Sequence, residues 1–287
     1  MSYRLSSLTW SRRIVSTVLA AGTLLACAAG LTTISARAAA LPIVSIATTP
    51  SSITVGGALQ AGGVNVVSTS TGTKEAGTLL FLLKPGVSAA EFLAFLSSKA
   101  GQDPNKAVKY GSVVFNAETP TGKKSEVQIT LAPGQYVALK IEGEGAPKAH
   151  AIFAVAATAS PAVLPTPDAI EKTIDFGFKG PKTLHVGELV RFENEGFVIH
   201  MDVAFPTKSR AAAKKAVKAL ASGNEKGVGK LVAGPPVSFA GPLSTGAYHQ
   251  ETITAKPGWY VQACFMETQD GRSHTRLGME RVVKITK

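Results

Sequence analysis

Two Pro-Gly-x-Tyr corners, Pro133-Gly-Gln-Tyr136 and Pro257-Gly-Trp-Tyr260, stand 124 residues apart in a chain of 287. A Pro-Gly pair sets a tight turn, and each corner opens a run with strand character, Gln135–Leu139 and Trp259–Ala263. What surrounds the corners repeats as well. In the first half, short runs at Ser51–Gly57, Gly63–Val67 and Leu79–Leu83 lead to a helix over Ala89–Leu96, with Ser88 and Glu91 at capping-box spacing and Gly101 as its stop. Strands at Gly111–Phe115 and Glu126–Thr130 precede the corner, and Ala151–Ala156 follows it. The second half keeps this order: strands at Thr173–Phe176 and Glu188–Phe192, the run Val198–Phe205, and a helix at about Arg210–Leu220 ended by Gly223. Strands near Val237 and at Gln250–Thr254 then lead into the second corner. Short β-branched runs punctuated by glycine predict an all-β chain, and their recurrence predicts a duplicated domain. Ala159–Pro167, with three prolines in nine residues and no period, reads as a stiff extended linker. The expected units are therefore 41–158, a linker at 159–167, and 168–287.

The first forty residues are of another kind. Arg4, Arg12 and Arg13 precede an apolar run from Ile14 to Leu25 and a small-residue end, Ala36–Ala40. That is the order of a secretory signal peptide, with an apolar run too short for a stable anchor. Cleavage is expected near Ala40, giving a periplasmic or extracellular protein. Arg12-Arg13 is a partial twin-arginine signature. Leu24-Leu-Ala-Cys27 lies close to a lipoprotein attachment motif, but the cleavage signal downstream makes Cys27 incidental. The formal charge of +11 falls to +7 once the signal leaves, with 26 basic residues against 19 acidic. A moderate positive charge suits an anionic partner and says little about fold. No second stretch is long enough to span a membrane.

After cleavage Cys264 is the single cysteine. In an oxidising compartment it has no intramolecular disulfide partner, so it is a metal ligand, an inert buried thiol or a reactive one. Cys264–Met279 supplies a thiolate, an imidazole (His274) and a thioether (Met279) between two strand-like runs, a donor set suited to copper. His200, in its own apolar run, is the best fourth ligand. The duplication gives an internal control. At the 124-residue offset Cys264 falls on Lys140, His200 near Gly77 and Met279 on Val155, so the first half lacks the set. His150 falls opposite His274 and reads as a surface histidine, as do His185 and His249; Met266 reads as core.

Val186-Gly-Glu-Leu-Val-Arg-Phe-Glu-Asn194 before His200, Lys256-Pro-Gly-Trp-Tyr-Val-Gln-Ala-Cys264, then His274 and Gly278-Met279, resemble the plastocyanin-like blue copper proteins, the cupredoxins. The resemblance covers about 120 residues, from Asp168 to the end. It implies two tandem cupredoxin-like Greek-key β-sandwiches, each with a short helix insertion, the first a metal-free relative. It also implies one type 1 copper held by His200, Cys264, His274 and Met279. Asn194 would tie the His200 strand to the Cys264 loop. The chain departs from the family pattern in the nine residues between Cys264 and His274, a loop longer than is usual, and in the basic helix inserted after the His200 strand.

The function expected is electron transfer or copper holding, with an unidentified redox partner protein. The alternative is a cupredoxin-fold binding or adhesion module with a vestigial or empty metal site. A multicopper oxidase or copper nitrite reductase needs several more histidines in close pairs; five histidines, none so paired, argue against an enzyme. The basic helix, with Lys214, Lys215 and Lys218, reads as a solvated face or a docking face for an acidic redox partner. The charge lacks the aromatic interleaving of a nucleic-acid surface, and no phosphate-binding glycine loop, zinc cysteine pair or nucleophile elbow is present.

Overall fold

The structure, a computed structural model, describes residues 40–287 except 73–74, 143–145 and 148. The expected signal through residue 39, with Cys27, lies outside the described residues. The first half runs β1 (Ile43–Thr48), β2 (Ile53–Gly57), β3 (Gly62–Ser70), β4 (Glu75–Leu83), α1 (Ala89–Leu96), β5 (Gly111–Pro120), β6 (Lys124–Leu131), β7 (Gly134–Ile141) and β8 (Ala149–Val155). The second runs β9 (Ala169–Ile174), β10 (Gly177–Lys179), β11 (Thr183–His185), β12 (Leu189–Asn194), β13 (His200–Thr207), α2 (Arg210–Ala221), α3 (Glu225–Gly229), β14 (Val237–Leu243), β15 (Tyr248–Thr252), β16 (Gly258–Ala263) and β17 (Glu280–Thr286).

This is an all-β, cupredoxin-like sandwich fold, and its strand order occurs twice. Strands β2-β1-β3-β6 back onto β5-β4-β7-β8, and β10-β9-β12-β15 onto β14-β13-β16-β17, with β11 added at the edge. In both halves the first strand pairs in parallel with its inner neighbour, β1 with β3 and β9 with β12. The register matches too: Leu79 opposes Leu139, and 124 residues on, Val203 opposes Ala263. One sheet is shared. Gln128 on β6 opposes Gln250 on β15, which makes a single eight-stranded sheet across both halves, and Gln250 Nε2 donates to Gln128 Oε1 at 3.2 Å.

The paired corners have a physical reason. Tyr136 Oη donates to Ala132 O at 2.9 Å, and Tyr260 Oη to Lys256 O at 2.7 Å, in each case four residues back, so the phenol locks the turn that Pro-Gly initiates. The capping box at α1 forms as expected: Ser88 accepts from the Glu91 amide and Glu91 from the Ser88 amide. The helix stops at Ser97 rather than Gly101 because the Ser97 and Ser98 hydroxyls take its last carbonyls. The proline-rich segment is extended but docked, not a free spacer: Gly63 N donates to Ala162 O at 2.6 Å, and a Cβ at Gly62 would meet Ala162 N at 2.8 Å.

Three of the sequence assignments need correcting. His150 lies on β8 opposite Leu139, where the second half has Glu280 opposite Ala263, so by register His150 matches Glu280 and Ala149, not Val155, matches Met279. The cause is the longer connection before β17, which a constant offset cannot follow. His150 and His185 are exposed as expected. His249 is buried: β15 lies inside the eight-stranded sheet, and His249 packs edge-on against Phe192 and hydrogen-bonds Phe239 O at 2.5 Å.

Replacing either corner tyrosine by phenylalanine leaves a carbonyl without its donor, and each is expected to cost ~1 kcal/mol. Tyr136→Phe loses more than Tyr260→Phe, since the Ala132 amide also donates to Tyr136 Oη at 3.1 Å. Urea unfolding at unchanged m-value checks this. Burial holds His249 down at about 4 from an ordinary 6.5. Below 6.5 the unfolded chain takes up a proton that the folded chain refuses, so stability is present above that pH and falls as pH drops towards 4. Relative to His249→Gln, the wild type is expected to lose up to roughly 3 kcal/mol across that window.

Candidate metal centre

Three strand ends meet at one end of the second sandwich. Because β13 and β16 are antiparallel, with Val203 opposite Ala263, the start of β13 lies beside the end of β16. His200 is thereby placed next to Cys264, and the Met201 amide donates to Cys264 Sγ at 3.4 Å. A bulge between His200 and Asp202 in the β13–β14 ladder turns the His200 side chain inward. β17 pairs with β16 on its other side, so Met279 stands beside Cys264, whose amide donates to Met279 O at 3.2 Å.

The long connection from Cys264 to His274 is compact. Glu267 bridges Ser273, the turn between them is closed by Thr268 N to Arg272 O, and the His274 amide returns to Met266 O at 2.8 Å. The extra residues form a small hairpin outside the site. His274 then opens a 3-10 turn, His274–Leu277, ended by Gly278 in the left-handed region, and the Met279 amide donates to His274 O.

The result is a tight triangle of donors. His200 Nδ1 and His274 Nδ1 are 3.1 Å apart, and Cys264 Sγ is 3.8 Å from the first and 3.4 Å from the second. All four expected ligands, Met279 included, are at most 1% exposed. A zinc-sized first-row ion lies ~2.0–2.1 Å from imidazole nitrogen and ~2.3 Å from thiolate sulfur, which spans nitrogen–nitrogen edges of about 3.3–3.6 Å and nitrogen–sulfur edges of about 3.6–3.8 Å. The triangle is within a few tenths of an ångström of that size.

The charge states suit a cation. Burial lowers both imidazoles, His274 to about 4, so each offers a neutral lone pair at neutral pH. Burial pushes the Cys264 thiol up to about 12, opposed by the Met201 and Met266 amides that point at the sulfur. The sulfur therefore keeps its proton at neutral pH, and a coordinated cation would displace it.

No protein-family model and no curated protein matches this chain. Among solved structures, an auracyanin B is 20% identical over 44% of this chain and 94% of that one, with a TM-score of 0.27. Auracyanin A, a "blue" copper protein of Chloroflexus aurantiacus, is 18% identical over 41% and 96%, TM-score 0.24. The copper-containing nitrite reductase of Thermus scotoductus is 13% identical over 85% and 67%, TM-score 0.25. Likenesses this distant decide nothing about chemistry, and the assignment of the fold rests on strand order and register.

Around the donors stand residues that the sequence did not single out. Asp175 Oδ1 lies 3.3 Å from His200 Nε2 and accepts the Phe197 amide at 2.9 Å, so the imidazole's outer nitrogen has an acceptor and Nδ1 is left for the site. Phe176, the one described non-glycine residue with a positive φ (60°), turns its ring edge-on to His274 at 5.1 Å. Gly196 has no room for a side chain: a Cβ would sit 2.5 Å from His200 Nε2.

Asn194 does not reach the Cys264 loop. Its side chain holds Val198 O, Leu243 O and the Gly196 amide, closing the turn before His200. The tie between the two ligand segments comes from the first half. Asn105, buried, donates to Glu267 O at 2.9 Å and accepts the Ile199 amide at 3.4 Å. Around it, Phe81, Phe92 and Phe95 of the first half share one buried cluster with Ile199, Cys264, Met266 and Met279, where Met266 sits as core. Asn105 was illegible because no local pattern marks a residue whose partners lie 94 and 162 positions away.

Asn105→Ala removes both ties without touching a donor. Its metal affinity, measured by competition with a chelator, is expected to fall ~10- to 100-fold while the chain stays folded.

Proposed function

We propose that His200, Cys264 and His274, with Met279 as a weak axial fourth ligand, hold one type 1 copper for one-electron transfer. The observation that carries this reading is the enclosed triangle of two imidazole Nδ1 atoms and one sulfur. A buried thiolate with two imidazoles and a nearby thioether favours copper over zinc, whose structural sites take four strong ligands, and over magnesium or calcium, which take oxygen. Bound copper would supply exchange of one electron between its cuprous and cupric states. The chain's own part is to keep the donors still. The β13–β16 ladder fixes His200 against Cys264, the 3-10 turn fixes His274, and Asn105 and Asp175 orient the segments that carry them. The aromatic cluster of the first half excludes water.

On this reading the two halves are a tandem duplication, 41–158 and 168–287, whose first copy lost or never had the metal. The register supports it: at Cys264's equivalent stands Lys140, wholly buried, with Nζ donating to Pro50 O at 2.8 Å and 3.0 Å from Glu142 Oε1. A fixed ammonium there leaves no donor for a cation. The protein would be exported through its first forty residues and serve a redox partner as a carrier rather than as an enzyme. Among the described residues, no helix is long and apolar enough to cross a membrane.

Adding Cu(II) to the purified chain is expected to give an intense visible thiolate-to-copper charge-transfer band with one ion bound, and Cys264→Ser to abolish the band while remaining folded. A folded wild type with a free thiol and no band would refute the type 1 assignment.

A further inference from the structure

The outer face of the second half carries a groove with no part in the metal centre. Thr183 on β11 lies in register with Lys284 on β17, and Lys284 with Trp259 on β16, so three adjacent side chains form a row across the sheet. Further along β16, α2 covers Val261 and Ala263 and leaves Trp259 half-buried beside the helix's first turn. Arg210 stands over the indole at 5.5 Å and Lys284 at 5.4 Å. With Lys182 and Lys214 these residues line a cavity of about 330 Å³.

Its charge is all of one sign. Arg210 is the first residue of α2, where the helix dipole favours an acid, and that turn contains none. Arg210 and Lys214, four apart on one helix face, repel each other. No carboxylate lines the groove, and Lys182, Arg210, Lys214 and Lys284 make no ion pair with a described residue. Arg281, the remaining cation at the wall, is taken up by Glu171 beneath. Four cations therefore line one groove without a protein counter-charge, a local positive field that a bound anion would neutralise.

We propose that this groove binds a compact ligand bearing two or more tetrahedral oxyanions, phosphate or sulfate groups, with Trp259 as its apolar floor. An arginine fork and several lysine point charges suit such groups. The concave shape, within the size range of small-molecule sites, favours one small multivalent ligand over the broad flat face of an acidic protein.

The test uses the full chain, whose other tryptophan is Trp10. Tryptophan fluorescence, backed by calorimetry at low ionic strength, follows titration with inorganic triphosphate and with a heparin-derived sulfated oligosaccharide. Saturable binding is expected, weakened roughly tenfold by Arg210→Gln and by Lys284→Gln. It should be unchanged in Lys123→Gln, an exposed lysine of the first half. The tighter probe names the source, a free phosphate compound or a sulfated glycan. Two variants on different elements, each checked by circular dichroism, separate lost binding from lost folding. The proposal is overturned if neither probe saturates, if Lys123→Gln weakens binding equally, or if a polyglutamate peptide displaces both probes.

Discussion

The antiparallel pairing of β13 with β16 is the constraint on which the site depends. It sets Val203 against Ala263, and from that register the placement of His200 beside Cys264 follows by strand geometry alone. A slip of one residue would turn the alternating side chains to the other face and separate imidazole from sulfur. Burial along the two strands themselves holds the register: Ala204 on β13 and Val261 and Ala263 on β16 have no exposure. The bulge after His200 and the left-handed Gly278 are then local adjustments at the rim of a frame already fixed.

The first half gives that frame its roof. Its own core is filled by Val44, Ile46, Val66, Ile129 and Tyr136, while a second set, Phe81, Phe92 and Phe95, turns towards the donors. One helix insertion in each half thus does a different job: α1 helps to close the centre, and α2 covers the outer sheet through Ala216 and Leu220. Where the second half buries the Cys264 thiol, the first buries Lys140, which brings its own charge.

Much of this was legible in the sequence. Glycine-punctuated β-branched runs marked the strands, the Ser88–Glu91 spacing marked α1, and the two Tyr corners marked a strand order that recurs, because each depends on residues within a few positions. His200, Cys264 and His274 meet at one sheet end, with Met279 buried beside Cys264, for the same reason: strand ends can be read from local pattern. What was missed depends on register between distant strands. His249 reads as a surface residue because nothing local tells that β15 joins a sheet spanning both halves. A constant offset puts Val155 opposite Met279 because it ignores the longer loop before β17. Asp175 and Asn105 act through turns and packing that bring remote segments together.

Burial of all four expected ligands to 1% or less has a kinetic side. An ion held there would be shut off from water, and would leave only if the ordered loop from Cys264 to Met279 or the aromatic roof lifted away. Release of such an ion would then need local opening as well as rupture of the metal bonds.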